Sequence, residues 1–183
     1  MNTTENKKVI FHAVKNGDTF KIAGMEFIKF PEVDGKVPVV MKDIAFRSEF
    51  GKNNDLRTST ALEKMEKEIL PKVIDAVGEE NVCTVHTDLT TLCGLKAYGV
   101  MESLISLPTL DFYRANAEIF DKHPVKDWWW LATPESCEPH GNALWALCVS
   151  PAGYISNDRY FHYSRGVRPF LFLKSSIFES SEN

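Results

Sequence analysis

Residues 127–149 read DWWWLATPESCEPHGNALWALCV and hold all four tryptophans of the chain, Trp128, Trp129, Trp130 and Trp145. Successive side chains on a strand point to opposite faces. Trp128 and Trp130 therefore share one face and Trp129 takes the other. The segment NALWALCVS (142–150) is apolar on both faces, the pattern of a strand buried on both sides. A base-stacking surface would need Lys or Arg interleaved with the rings to hold phosphates. The neighbours are instead Asp127, Glu135 and Glu138, so at least two of Trp128, Trp129 and Trp130 are expected in a core, where indole burial removes a large apolar area and its N–H needs a partner.

Working outward, the chain has 183 residues, 44% hydrophobic and 25% charged. That suits one globular domain, one able to bury about 70% of its unfolded surface without disulfides or a metal. The net charge of −4 opposes charge-driven nucleic-acid binding, which needs clustered cations to displace counterions. A local basic stretch remains at Arg159, Arg165, Arg168 and Lys174. Direct nucleic-acid binding is therefore an open but disfavoured reading. The N-terminus MNTTENKKVIFHAV lacks a signal-peptide core, and no apolar run reaches a membrane span. A cytoplasmic address in a bacterial host cell and no membrane partner are expected. Cys83, Cys93, Cys137 and Cys148 are expected as free thiols in a reducing compartment.

The alternation in DTFKIAGMEFIKF predicts a hairpin in which Met25 and Phe27 answer Ile22 and Phe20 across an Ala23-Gly24 turn. Asp34-Gly35 predicts a second tight turn. A third strand follows at Val37 to Met41, with Pro38 pointing to an edge position because it lacks a donor. A helix is expected through STALEKMEKEILPKVIDAVG, with Thr60 and Glu63 at capping-box spacing. Its apolar stripe is Leu62, Met65, Ile69 and Val73, with a break near Pro71 and a stop at Gly78. NVCTVHTDL reads as a short strand, 90–107 as turns and short pieces, and Thr109 as the cap of a second helix. VRPFLFL reads as one closing strand. The order strands, helices, strands predicts α+β: one domain over 9–174, with N-terminal hairpins, two main helices and a C-terminal antiparallel sheet. Flexible tails are expected at 1–8 and 175–183.

WWWLATP (128–134), WALCVSPAGYIS (145–156) and GVRPFLFL (166–173) together resemble a domain family of unknown function widespread in Gram-positive gut bacteria, their phages and other mobile elements. DLTTLCGLKAYG (88–99) and LPTLDFYR (107–114) resemble its phage-type members, so the likeness covers nearly the whole chain. The resemblance implies a C-type-lectin-like or formylglycine-generating-enzyme-like body with paired helices and long loops. The family's first box usually has Arg where this chain has Ala132.

The candidate binding surface is NDRYFHYSR (157–165), read as an aromatic, polar loop: Arg159, Tyr160, Phe161, His162, Tyr163 and Arg165. Tyr and Arg are enriched at interface hot spots, and loops on rigid scaffolds present binding surfaces. Arg168 is expected to bond a carboxylate or backbone carbonyls with its five-donor fork, direct ligand contact being the other reading. Glu138-Pro139-His140 lacks the amide oxygen of a calcium-dependent lectin site. Cys137 and His140 have ligand-like spacing without the second close pair of a structural zinc site. His86, Asp88 and Cys83 form no legible triad. No cofactor, metal or catalytic residue is therefore expected. The expected function is non-enzymatic: a phage or mobile-element protein that binds a host protein or ribonucleoprotein. Its most concrete form is an anti-CRISPR inhibitor of a guide-loaded Cas nuclease. The alternative is a lectin-like ligand- or receptor-binding module of a phage particle.

Overall fold

The computed structural model describes residues 11–138, 141–160 and 164–179. Its strands are β1 (Thr19–Ile22), β2 (Met25–Lys29), β3 (Lys36–Met41), β4 (Phe46–Ser48), β5 (Val82–Cys83), β6 (Val85–Asp88), β7 (Val100–Ser103), β8 (Trp129–Pro134), β9 (Trp145–Val149), β10 (Ile155–Arg159), β11 (Arg165–Val167) and β12 (Phe170–Lys174). Its helices are α1 (Thr60–Glu68), α2 (Leu70–Val77), α3 (Leu110–Ala115) and α4 (Ala117–Asp121). The architecture is α+β.

Both N-terminal turns form as the sequence predicts. Ala23 and Gly24 have φ of 49° and 78°, and Asp34 and Gly35 have 49° and 73°, the consecutive positive φ of a hairpin turn that matches strand twist. The first turn sets the register Phe20↔Phe27 and Ile22↔Met25. The long helical stretch breaks at Ile69, where Pro71 begins a second helix, since its ring clashes with the carbonyl four residues back. The N-cap is Ser59, one residue earlier than the capping-box pattern indicates. Its hydroxyl accepts the Leu62 N–H at 3.0 Å. Gly78, at φ 87°, ends α2. Thr109 caps α3 by accepting the Phe112 N–H.

Three expectations are corrected. Pro38 lies in an interior strand, because the first sheet runs β1-β2-β3-β12-β5. It is tolerated because the β2 ladder ends one residue away at Lys29↔Val39. On that side only its carbonyl is needed, and it accepts the Phe30 N–H at 3.0 Å. Secondly, VRPFLFL is two strands. β11 belongs to the second sheet, ordered β10-β9-β8-β11-β4, and β12 to the first. The N- and C-terminal thirds are thus interleaved, and β11 runs parallel to β8 at Gly166↔Trp129, so the C-terminal sheet is not wholly antiparallel. Thirdly, the tail does not begin at 175. Ile177 is buried, its carbonyl accepts the Phe11 N–H at 2.7 Å, and Phe178 packs edge-on against Phe20. Residues 1–8 lie outside the described residues.

Each sheet faces two cores. One gathers Phe20, Phe27 and Val39 of the first sheet, Met65 and Val73 of the helices, and Trp130, Ala146 and Cys148 of the second sheet. The other joins Ile28 and Val40 to Leu110, Tyr113 and Phe120, with Trp129, Leu147 and Val149. Trp130 thus enters the first core, with Trp128 packed against it, and Trp129 the second, as strand alternation requires. No helix among the described residues is long and apolar enough to cross a membrane.

Candidate functional site

Of the six described residues in the segment read as a loop over 157–165, four lie in strands. Residues 155–159 form β10, paired with β9 from Ile155↔Val149 to Arg159↔Trp145, and Arg165 opens β11. The alternating polar and apolar pattern of a half-buried strand is absent from ISNDR, since Ile155, Ser156 and Asn157 are all exposed. The strand therefore carried no periodic signal. β10 is the edge of its sheet and has one neighbour among the described strands.

Alternation sends Ser156 and Asp158 to the face of the first core and Ile155, Asn157 and Arg159 to the opposite face. On the first face the Arg165 Nε donates to Asp158 at 2.9 Å, its Nη2 bonds the same carboxylate, and the guanidinium lies 5.2 Å from the Trp128 ring centre. On the other face the Arg159 guanidinium lies 5.1 Å over Trp145. Tyr160 packs against the first core, its N–H donating to Leu144 O and its carbonyl accepting from Phe50 N. Of the six candidates, then, Arg159 stands half-buried beside Trp145 on the face that carries Leu147 and Val149, while Tyr160 and Arg165 brace the interior. Phe161, His162 and Tyr163 lie outside the described residues.

Residues missed in the sequence complete this surface. Tyr154 is 73% exposed and Ile155 39%, and Asn157 bonds the Glu135 carboxylate. Beneath them, buried Asn54 donates to the carbonyls of Ser136 and Trp145, both at 2.8 Å, and accepts from the Tyr98 hydroxyl. A lone Asn in the loop FGKNND gave no hint of this brace, which exists only once residues 54, 98, 136 and 145 meet.

Arg168 occupies the step between β11 and β12. Its Nε donates to Met41 O at 3.0 Å and its Nη2 to Lys42 O at 2.8 Å. The chain crosses between the sheets twice here, at 41–46 and at 167–170, and the crossings bond each other through Met41 N to Pro169 O and Ala45 N to Val167 O. The guanidinium lies 4.9 Å from the Trp129 ring centre and 5.3 Å from that of Phe120. Burial depresses its pKa to about 10. The expected bonding to carbonyls is present, and no carboxylate of the described residues pairs with it directly.

The remaining candidates stay apart. His86 Nδ1 is 3.3 Å from Glu102, whereas Asp88 accepts from the N–H and hydroxyl of Thr90, which lower its pKa. Cys137 is buried, and His140 lies outside the described residues. No cluster of three His, Cys, Asp or Glu side chains suited to a metal occurs among the described residues.

The buried thiols set a checkable pattern. Burial pushes Cys148 up to about 12, the Asp158 charge adds to the rise, and Arg165 opposes it. Thiolate is the reactive form, so exposed Cys93 will react first with a thiol reagent at pH 8. Cys137 and Cys148 will react only as fast as the fold opens, a sequence of modification that mass spectrometry resolves. A raised thiol pKa stabilises the fold fully below its ordinary value of 9.0, and that stabilisation is lost as pH climbs towards 12. The urea midpoint should therefore fall above pH 9, less steeply in Cys148→Ala.

The chain matches no family model, no curated protein and no solved structure.

Proposed function

We propose that this chain is a non-enzymatic interaction protein that engages a host macromolecule through the exposed part of the β9–β10 hairpin. One observation carries the reading: exposed Tyr154 and Ile155 stand on the same hairpin as Arg159, which is stacked on Trp145. Tyr, Trp and Arg dominate binding hot spots. A guanidinium held on an indole has already lost much of its conformational freedom, so docking costs less entropy. An edge strand also offers unpaired backbone groups to an extended partner segment.

The partner class is a protein or ribonucleoprotein. The overall charge of −4 opposes bare nucleic acid and suits a partner with a basic channel, since complementary potentials steer encounter. The most specific form is inhibition of a guide-loaded Cas nuclease by a phage-encoded protein, supported by the sequence resemblance to phage-type domains.

The test is a pull-down of tagged protein from lysate of a CRISPR-bearing bacterium, beside the variant Ile155→Lys/Arg159→Glu. Both substitutions fall on the exposed face, and circular dichroism checks their folding. One stoichiometric partner, depleted at least tenfold with the variant, supports the proposal, and loss of target cleavage by that partner supports its specific form. A partner retained by the variant overturns the assigned surface, and no enriched protein with folded bait overturns the reading.

A further inference from the structure

A cleft of about 210 Å³ opens beside Arg168, at the opposite end of the β9–β10 hairpin from Arg159 and Trp145. Four residue steps along the strand separate the two places by roughly 13 Å. Residues 121–125, following α4, form one wall, and the hairpin turn at 150–153 forms the other. Arg168 shares the lining with Trp129 and Phe120.

The chemistry of the floor is unusual. Arg168 is 1% exposed, and a buried guanidinium ordinarily pairs with a carboxylate or phosphate. No acidic oxygen of the described residues lies within 4 Å of it. Nε and Nη2 are engaged by Met41 O and Lys42 O, and Nη1 has no hydrogen-bond partner among the described residues. Arg168 lines the cleft, and Nη1 is the donor left to serve it. Ser150, also in the wall, accepts the Tyr154 N–H on its hydroxyl oxygen at 3.0 Å, which leaves the hydroxyl proton free to donate.

We propose that this cleft is a binding site for a small organic monocarboxylate, its carboxylate held by Arg168 Nη1 and Ser150 and its flat apolar body between Val125 and Pro151. The acid is small because the cleft falls below the roughly 300 Å³ of drug-sized sites. It is organic because Val125, Val149, Pro151 and Ala152 supply apolar walls. It carries a single charge because Asp121 also lines the cleft. A dianion such as phosphate would meet that repulsion with too few donors. A carboxylate needs only the pair that faces it, and its hydrogen bonds to a fixed cation are the strong kind. The cleft adjoins Tyr154 of the protein-binding surface proposed above, but benzoate titration of the free chain reads the cleft alone, so either proposal can fail without the other.

Calorimetric titration of the full chain with benzoate, at constant chloride, tests this. Saturable binding with a Kd on the order of 1 mM is expected for so small a ligand. Neutral benzamide, of the same shape, should bind at least tenfold more weakly. Ala152→Trp, at an exposed position on the mouth, should weaken benzoate at least tenfold while leaving the circular dichroism spectrum and urea midpoint unchanged. No saturable heat with benzoate overturns the proposal. So does equal affinity for benzamide, which would leave an apolar cleft with no use for the cation. Tighter binding of inorganic phosphate than of benzoate overturns the ligand class, and unchanged affinity in Ala152→Trp overturns the location.

Discussion

Arg168→Ala will lose about 2–5 kcal/mol of folding stability, the range for truncating a large buried side chain. Three effects add. The carbonyls of Met41 and Lys42 lose their donors, and an unsatisfied buried polar group costs about 1–3 kcal/mol. The stacked contacts with Trp129 and Phe120 vanish. A cavity opens where the chain crosses between sheets. Arg168→Met, which refills most of the volume, should recover the packing but not the carbonyl bonds, and should fall between alanine and the native protein. Urea denaturation, with the m-value checked for two-state behaviour, measures all three proteins. A loss below 1 kcal/mol in Arg168→Ala would show that water can replace the guanidinium, and the clamp between the crossings would not be the reason Arg stands there.

Trp130→Ala will cost about 3–5 kcal/mol, the usual range for deleting a buried aromatic side chain. Trp130 is fully buried, packs edge-on against Phe50 at 5.5 Å and donates its indole N–H to Ser48 O at 2.9 Å. Trp130→Phe keeps most of the apolar area but leaves that carbonyl bare, so about 1–3 kcal/mol is expected. Trp129→Ala should match Trp130→Ala, because Trp129 lies in the second core against Phe120 and Tyr113. Trp128→Ala and Trp145→Ala should cost less, since both are only partly buried and each is covered by an arginine. The order of the four thermal midpoints tests the depth of burial. A Trp128 variant less stable than the Trp130 variant would contradict the central place of Trp130 in the first core.

Much of this was legible in the residues because it is local. Ala23-Gly24 and Asp34-Gly35 specify hairpin turns through backbone conformations few other pairs adopt. The stripe of Leu62, Met65, Ile69 and Val73 marks a buried helix face, and Pro71 breaks it for a steric reason confined to one turn. The alternation of Trp128, Trp129 and Trp130 follows from strand geometry. The candidate surface was only half legible. Arg159 was found by residue type, but its partner Trp145 was read as core material, and Tyr154 and Ile155 were not among the candidates. ISNDR shows no period because its first three residues are exposed and the residue that turns to the core is a charged one, Asp158.

What the amino-acid order determined alone was the turns, the caps to within a residue, the helix faces and the α+β class. All are decided by interactions within a few residues, where φ, side-chain period and capping act. What only the tertiary structure decided was the division of VRPFLFL between two sheets, the interior place of Pro38 and the companions of Arg168. Each depends on chain segments more than a hundred residues apart, such as Met41 and Arg168, brought together by a core that needs both sheets at once. A buried cation looks the same in the sequence whether its neighbours are carboxylates, carbonyls or an open cleft, because its partners are chosen by the packing of the whole chain.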